Sequence, residues 1–228
     1  MTIAQLPLEF SLEAKYLPED FISSESNRLA VSALGLWPHW PTYGLIMCGA
    51  PKVGKTHLAH VFQYQSQALF LQKEHLTQID HFEPLIHPGR PYILDDVYPW
   101  AQKNESTFFH LLNLIKERQA MVLLVAEQTP GLWELQLPDL KSRLAQLNTV
   151  RIERPDDELL EAILVKKISE MQVDIAPIVC RYILTHIERS ASYLVRFLEE
   201  VNRASLVQKR AITVPLVRQV FSGFHRIV

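Results

Sequence analysis

Apolar residues in this chain fall into two patterns. The first is a set of short runs: Leu45-Ile46-Met47-Cys48, Ala68-Leu69-Phe70-Leu71, Pro91-Tyr92-Ile93-Leu94, Met121 through Ala126, and Thr149-Val150-Arg151-Ile152. Runs of this length, bounded by polar or turn residues, read as strands of a parallel sheet covered on both faces. The second is helical periodicity between the runs. Phe108, Leu111, Leu112 and Ile115 form one such stripe within Glu105–Arg118. Leu29, Ala30, Val31 and Leu34 mark another, with Ser24 or Ser26 placed to cap it, and Leu137–Leu144 opens a short third helix. Strands alternating with helices predict an α/β fold with a five-stranded parallel sheet. From Pro155-Asp156-Asp157 onward the strand pattern stops. Leu159–Met171, Ala176–His186, Ser192–Gln208 and Val214–Phe221 are all helix-periodic. The expected organisation is a leader over 1–11, an α/β unit over 12–154 and a C-terminal α-helical lid over 155–228.

Between the first run and the helix Thr56–Phe62 lies Gly49-Ala50-Pro51-Lys52-Val53-Gly54-Lys55-Thr56, which fits G-x-x-x-x-G-K-[ST]. Strand before and helix after is the context this phosphate-binding loop requires. Gly49 and Gly54 allow the tight backbone that aims successive N–H groups at phosphate oxygens. The helix N-terminus adds its positive dipole end. Lys55 is positioned to neutralise β- and γ-phosphates, and the Thr56 hydroxyl to ligate Mg²⁺. The run ending in Leu94 continues into Asp95-Asp96. An acidic pair at a strand end suits metal holding by Asp95, directly or through water, and orientation or deprotonation of an attacking water by Asp96. The run ending in Ala126 continues into Glu127. A polar group there can contact the γ-phosphate or the attacking water, but a carboxylate repels phosphate unless a metal or water lies between.

Composition narrows the class. The chain has 228 residues, 48% hydrophobic and 21% charged, with a formal net charge of -2. That is ordinary for a globular protein and gives no general electrostatic attraction to nucleic acid. The two cysteines, Cys48 and Cys180, have no metal-type spacing and suggest a reducing compartment. No run approaches the ~20 apolar residues of a membrane helix. Glu9 and Glu13 sit where a signal peptide would be basic and then apolar. The expectation is a cytoplasmic protein without a membrane partner. The leader contains Gln5-Leu6-Pro7-Leu8-Glu9-Phe10. Pro7 disfavours helix, so the segment reads either as an extended docking peptide or as a leader packed on its own domain.

The order of phosphate loop, Asp-Asp strand, polar strand end, Ser-Arg helix and helical lid resembles AAA+ P-loop ATPases, and within them the DnaA-type initiator group. The matching residues are Asp20-Phe21 with Ser26-Asn27, Gly54-Lys55-Thr56-His57-Leu58, Leu94-Asp95-Asp96, Leu140-Lys141-Ser142-Arg143-Leu144, and Arg210-Ala211-Ile212-Thr213-Val214. The leader and Leu137-Pro138-Asp139-Leu140 are similar to the Hda-like regulators of that initiator. So is the absence of a helix-turn-helix segment after the lid, which argues against sequence-specific DNA binding. The resemblance implies a protein that binds ADP or ATP with Mg²⁺ and docks on the DNA polymerase sliding clamp through Gln5, Leu6, Leu8 and Phe10. It also implies stimulation of ATP hydrolysis by the DnaA initiator, preventing re-initiation of replication. Phe21, His57 and the phosphate loop become nucleotide contacts, and Arg143 becomes an arginine finger acting on a neighbouring subunit, which leaves a homo-oligomer possible. The family's arginine early in a lid helix aligns with Ser192. Arg189 and Arg196 flank it as substitutes.

Two other functions fit the same residues. An autonomous ATPase, such as a helicase loader or truncated initiator, follows from the intact loop with Asp95 and Asp96. A nucleotide-dependent anchoring protein without catalysis follows from Ser192 and Glu127.

Overall fold

The computed structural model describes residues 21–76 and 83–224. Its strands are β1 (Gly44–Gly49), β2 (Leu69–Phe70), β3 (Pro91–Leu94), β4 (Met121–Ala126) and β5 (Asn148–Ile152). All pair in parallel, in the spatial order β2-β3-β4-β1-β5. Side chains along each strand alternate between two cores. Ile46, Tyr92, Leu94, Val122 and Leu124 face one, and Leu45, Met47, Ile93, Leu123 and Val125 the other. The first core is covered by α4 (Glu105–Glu117) and α5 (Pro138–Ala145), the second by α1 (Arg28–Gly35) and α2 (Lys55–Ser66). With helices on both faces, every residue of β1 and β3 is buried, as the unbroken apolar runs require. β5 is one of the two edge strands, and it exposes Asn148, Thr149 and Arg151.

A further helix, α3 (Val97–Lys103), follows Asp96. It contains Pro99. This residue falls in the first turn, where backbone N–H groups have no intrahelical acceptor and proline costs nothing.

The lid comprises α6 (Asp157–Met171), α7 (Pro177–His186), α8 (Ala191–Gln208) and α9 (Val214–Phe224). It has its own core, including Leu160, Leu164, Ile183, Leu194, Phe197 and Val217. Among the described residues no helix is long and apolar enough to cross a membrane.

One carboxylate joins lid to base. Asp156 caps α6 by accepting the Leu159 N–H at 2.7 Å, and its other oxygen accepts the Ser26 N–H at 3.2 Å. Burial pushes this carboxyl up, but hydrogen bonds from Leu159, Ser26 and Ser24 outweigh it and hold the group below the usual carboxylate value. The neighbouring hydroxyls of Ser24 and Ser26 hydrogen-bond each other at 2.7 Å. They therefore do not cap α1, contrary to the sequence-based expectation. The N-cap is Asn27, and it makes no side-chain cap bond. Its amide is used inside the turn, donating to the Ile22 carbonyl at 2.9 Å and accepting the Ser24 N–H at 3.0 Å.

Candidate functional site

Three strand ends meet at the C-terminal edge of the sheet. The phosphate loop leaves β1, Glu127 leaves β4 and Asp95 leaves β3, and β4 lies between the other two. The pairings Met47 with Val125, Cys48 with Ala126, and Leu94 with Leu124 keep these exits nearly level. Ligands of open parallel sheets bind at such an edge.

The loop's glycines are fixed by geometry. A Cβ at Gly49 would lie 2.5 Å from the Ile152 carbonyl oxygen, because the loop crosses close to β5. Gly54 has φ of 101°, a left-handed value that strains any side chain. Lys52 also adopts positive φ, 63°. Between them Val53 is buried against the α1–α2 core, while Ala50 is half-buried and Pro51 exposed. The loop thus hangs from β1 and one apolar anchor, with Pro51, Lys52 and Thr56 exposed.

Lys55 folds back over the loop, its Nζ donating to the carbonyls of Gly49 and Ala50, each at 2.8 Å. Burial pushes its ammonium below the ordinary lysine value, and the carboxylates of Glu127, Asp95 and Asp96 act in the opposite direction. All three acids named by the sequence are therefore within electrostatic reach of this amine. The Thr56 hydroxyl donates to Asp95 Oδ2 at 2.8 Å. Two oxygens converging from separate elements form the kind of hard, partly hydrated site that Mg²⁺ takes beside phosphates, so these residues fit the metal.

Asp96 sits in left-handed backbone, φ 47°, directly before α3, a conformation aspartate tolerates better than most residues. Its N–H donates to Asp95 Oδ1 at 2.9 Å. Lys73, which no sequence motif marks, donates to the Asp96 carbonyl at 2.6 Å and lies 3.6 Å from its carboxylate. A cleft of about 300 Å³ between Phe70, Gln72, Lys73, Glu74, Asp95 and Asp96 opens beside this pair.

On the other flank, Phe21 packs edge-on against the His57 ring at 5.3 Å. This places both proposed nucleotide contacts together at the start of α2. The lid reaches the loop through Ser190, whose hydroxyl donates to the Lys52 carbonyl at 3.2 Å. Lys52 Nζ lies 5.9 Å from the centre of the Tyr193 ring. The two cations considered in place of Ser192 differ. Arg189 is bound to Asp157 at 2.6 Å. Arg196 is exposed one turn after Ser192, and its charge is felt at the Tyr193 hydroxyl.

Arg143 lies elsewhere. It is near the end of α5, just before β5, whose first residue pairs with Leu45 while its last pairs with Gly49. Arg143 therefore sits near the N-terminal edge of the sheet, roughly 13 Å of strand away from its own phosphate loop at about 3.3 Å per residue. Its charge acts on Tyr43, the residue before β1; burial nonetheless raises that phenol to about 12. Gln5, Leu6, Leu8 and Phe10 fall outside the described residues.

Lys73, Ser190 and the partners of Arg143 were not legible as site residues. Each acts through a contact distant in sequence, and none belongs to a short motif.

Residues 156–221 match a family model described as Hda, lid domain. Solved structures give the fold. Domain III of the Thermotoga maritima replication initiation protein DnaA is similar over 94% of this chain and 99% of its own, at 15% identity and a TM-score of 0.78. AMPPCP-bound DnaA from Aquifex aeolicus is similar over 87% of this chain and 68% of its own, at 20% identity and a TM-score of 0.70. A RuvB variant from Thermotoga maritima reaches a TM-score of 0.70 at 19% identity, over 90% of this chain and 70% of its own. The chain therefore has the fold of these DnaA and RuvB structures, and residues 156–221 of its lid match the Hda lid model.

Proposed function

We propose that this protein is a regulator of the replication initiator. It holds ADP or ATP with Mg²⁺ at the phosphate loop, docks on the DNA polymerase sliding clamp through Gln5, Leu6, Leu8 and Phe10, and stimulates ATP hydrolysis by DnaA. The observation that supports it best is the separation of Arg143 from its own cradle. A half-buried arginine near the opposite edge of the sheet is out of reach of its own nucleotide but open to a neighbour's. There a guanidinium stabilises the charge of phosphoryl transfer, an effect worth ~10³–10⁵ in GTPases. The Hda-type lid and the AMPPCP bound by a DnaA of the same fold support an adenine nucleotide and an initiator as the neighbour. Lys55 and the loop N–H groups bind the phosphates, Thr56 and Asp95 hold the metal, and Phe21 with His57 flanks the loop. Mg²⁺, when bound, supplies charge neutralisation between phosphate oxygens. The test is phosphate release by ATP-loaded DnaA, with and without this protein and clamp on DNA.

A second reading, an autonomous ATPase, draws on the Thr56–Asp95 pair. Robust ATP turnover by the purified protein alone, lost in Lys55→Ala, would identify it. The tie between Lys73 and Asp96 favours the regulator, because it holds the acid that would activate water.

A further inference from the structure

Arg143 binds a neutral side chain and lies against an aromatic ring, as Arg218 does with Tyr182. Arg28, Arg118, Arg151, Arg189 and Arg203 each pair with a carboxylate. Arg143 Nη2 instead donates to the side-chain amide oxygen of Asn113, and its guanidinium lies 6.0 Å from the centre of the Phe109 ring. Phe109 and Asn113 are four residues apart on α4, so they present one face to α5. Among the described residues no carboxylate forms an ion pair with Arg143.

We infer that Asn113 is a positioning residue for the finger, chosen to orient the guanidinium without neutralising it. An amide oxygen accepts a hydrogen bond as a carboxylate oxygen does but carries no net charge. The ring beneath holds the flat guanidinium by its face and also leaves the positive charge intact. One of five donors is used, and four remain for a neighbour's phosphate. A carboxylate in the same place would give a charge-assisted, bidentate pair that turns the donors inward and cancels the charge the transition state needs. This inference rests on the proposed role of Arg143 as a finger.

The experiment compares native protein, Arg143→Ala, Asn113→Asp and Asn113→Ala in clamp-dependent phosphate release from ATP-loaded DnaA. Asn113→Asp is nearly isosteric and should lower the stimulated rate about tenfold or more at saturating regulator, through the rate constant and not the half-saturating concentration. Asn113→Ala removes more contact but adds no charge, and should retain more activity than Asn113→Asp. Thermal unfolding and nucleotide binding should be near native for Asn113→Asp. Loss of stimulation in Arg143→Ala with native stimulation by Asn113→Asp overturns the inference alone. So does an Asn113→Ala defect deeper than that of Asn113→Asp. Native stimulation by Arg143→Ala overturns the finger itself.

Discussion

The Ser190 hydroxyl donates to the Lys52 carbonyl at 3.2 Å, and the same oxygen accepts the Tyr193 N–H at 3.3 Å. One buried atom thus caps the longest lid helix and fastens it to the phosphate loop. Ser190→Ala should destabilise the protein by about 1 kcal/mol, the usual worth of a helix cap. It should also free the lid from the loop and speed nucleotide release. Ser190→Thr keeps the hydroxyl and should lose less. Urea unfolding and stopped-flow release of a fluorescent adenine nucleotide measure the two effects.

The Thr56–Asp95 pair predicts metal dependence. Thr56→Val removes the hydroxyl while nearly preserving shape. Nucleotide affinity of the native protein should rise on adding Mg²⁺, and Thr56→Val should lose roughly 10–100-fold of that gain. Calorimetric titration with and without Mg²⁺ reads this directly. Equal Mg²⁺ responses would remove Thr56 from the metal site.

Asp156 gives a pH-dependent stability. Its folded carboxyl titrates below the ordinary value, so its contribution is complete above the unfolded value of about 4 and is lost as pH falls through the folded value. Asp156→Ala should cost about 1 kcal/mol at pH 7. The gap between native and variant urea midpoints should narrow from about pH 4 downward. A gap that is constant from pH 7 to pH 2 contradicts the assignment.

Clamp docking is tested at the leader. Gln5→Ala with Leu6→Ala should abolish retention on immobilised clamp while leaving nucleotide affinity unchanged. Undiminished retention would place the clamp contact elsewhere or remove it.

The parts of this molecule that sequence made plain were those whose physics is local. Complete burial of β1 and β3 forces unbroken apolar runs. The turn around Gly49 and Gly54 needs residues without Cβ, and acids at the end of β3 stand out against the strand before them. β2 was placed correctly but is only Leu69–Phe70, an edge strand paired with β3 alone. α3 was missed because, at seven residues, it is too short to show a helical stripe. The longest-range contacts were invisible. Ser190 meets Lys52 across 138 residues, Asp156 meets Ser26 across 130, and Asn113 meets Arg143 across 30. Nothing in the local pattern requires a serine, aspartate or asparagine at those positions. Only the folded sheet brings the pairs together.

The central claim is that the guanidinium of Arg143 acts on a nucleotide held by another molecule. It is tested most directly by phosphate release from ATP-loaded DnaA in the presence of clamp on DNA, with native protein against Arg143→Ala. The native protein should accelerate release. Arg143→Ala should bring the rate back towards that of DnaA alone while still binding clamp and nucleotide. Equal acceleration by both proteins would contradict the account.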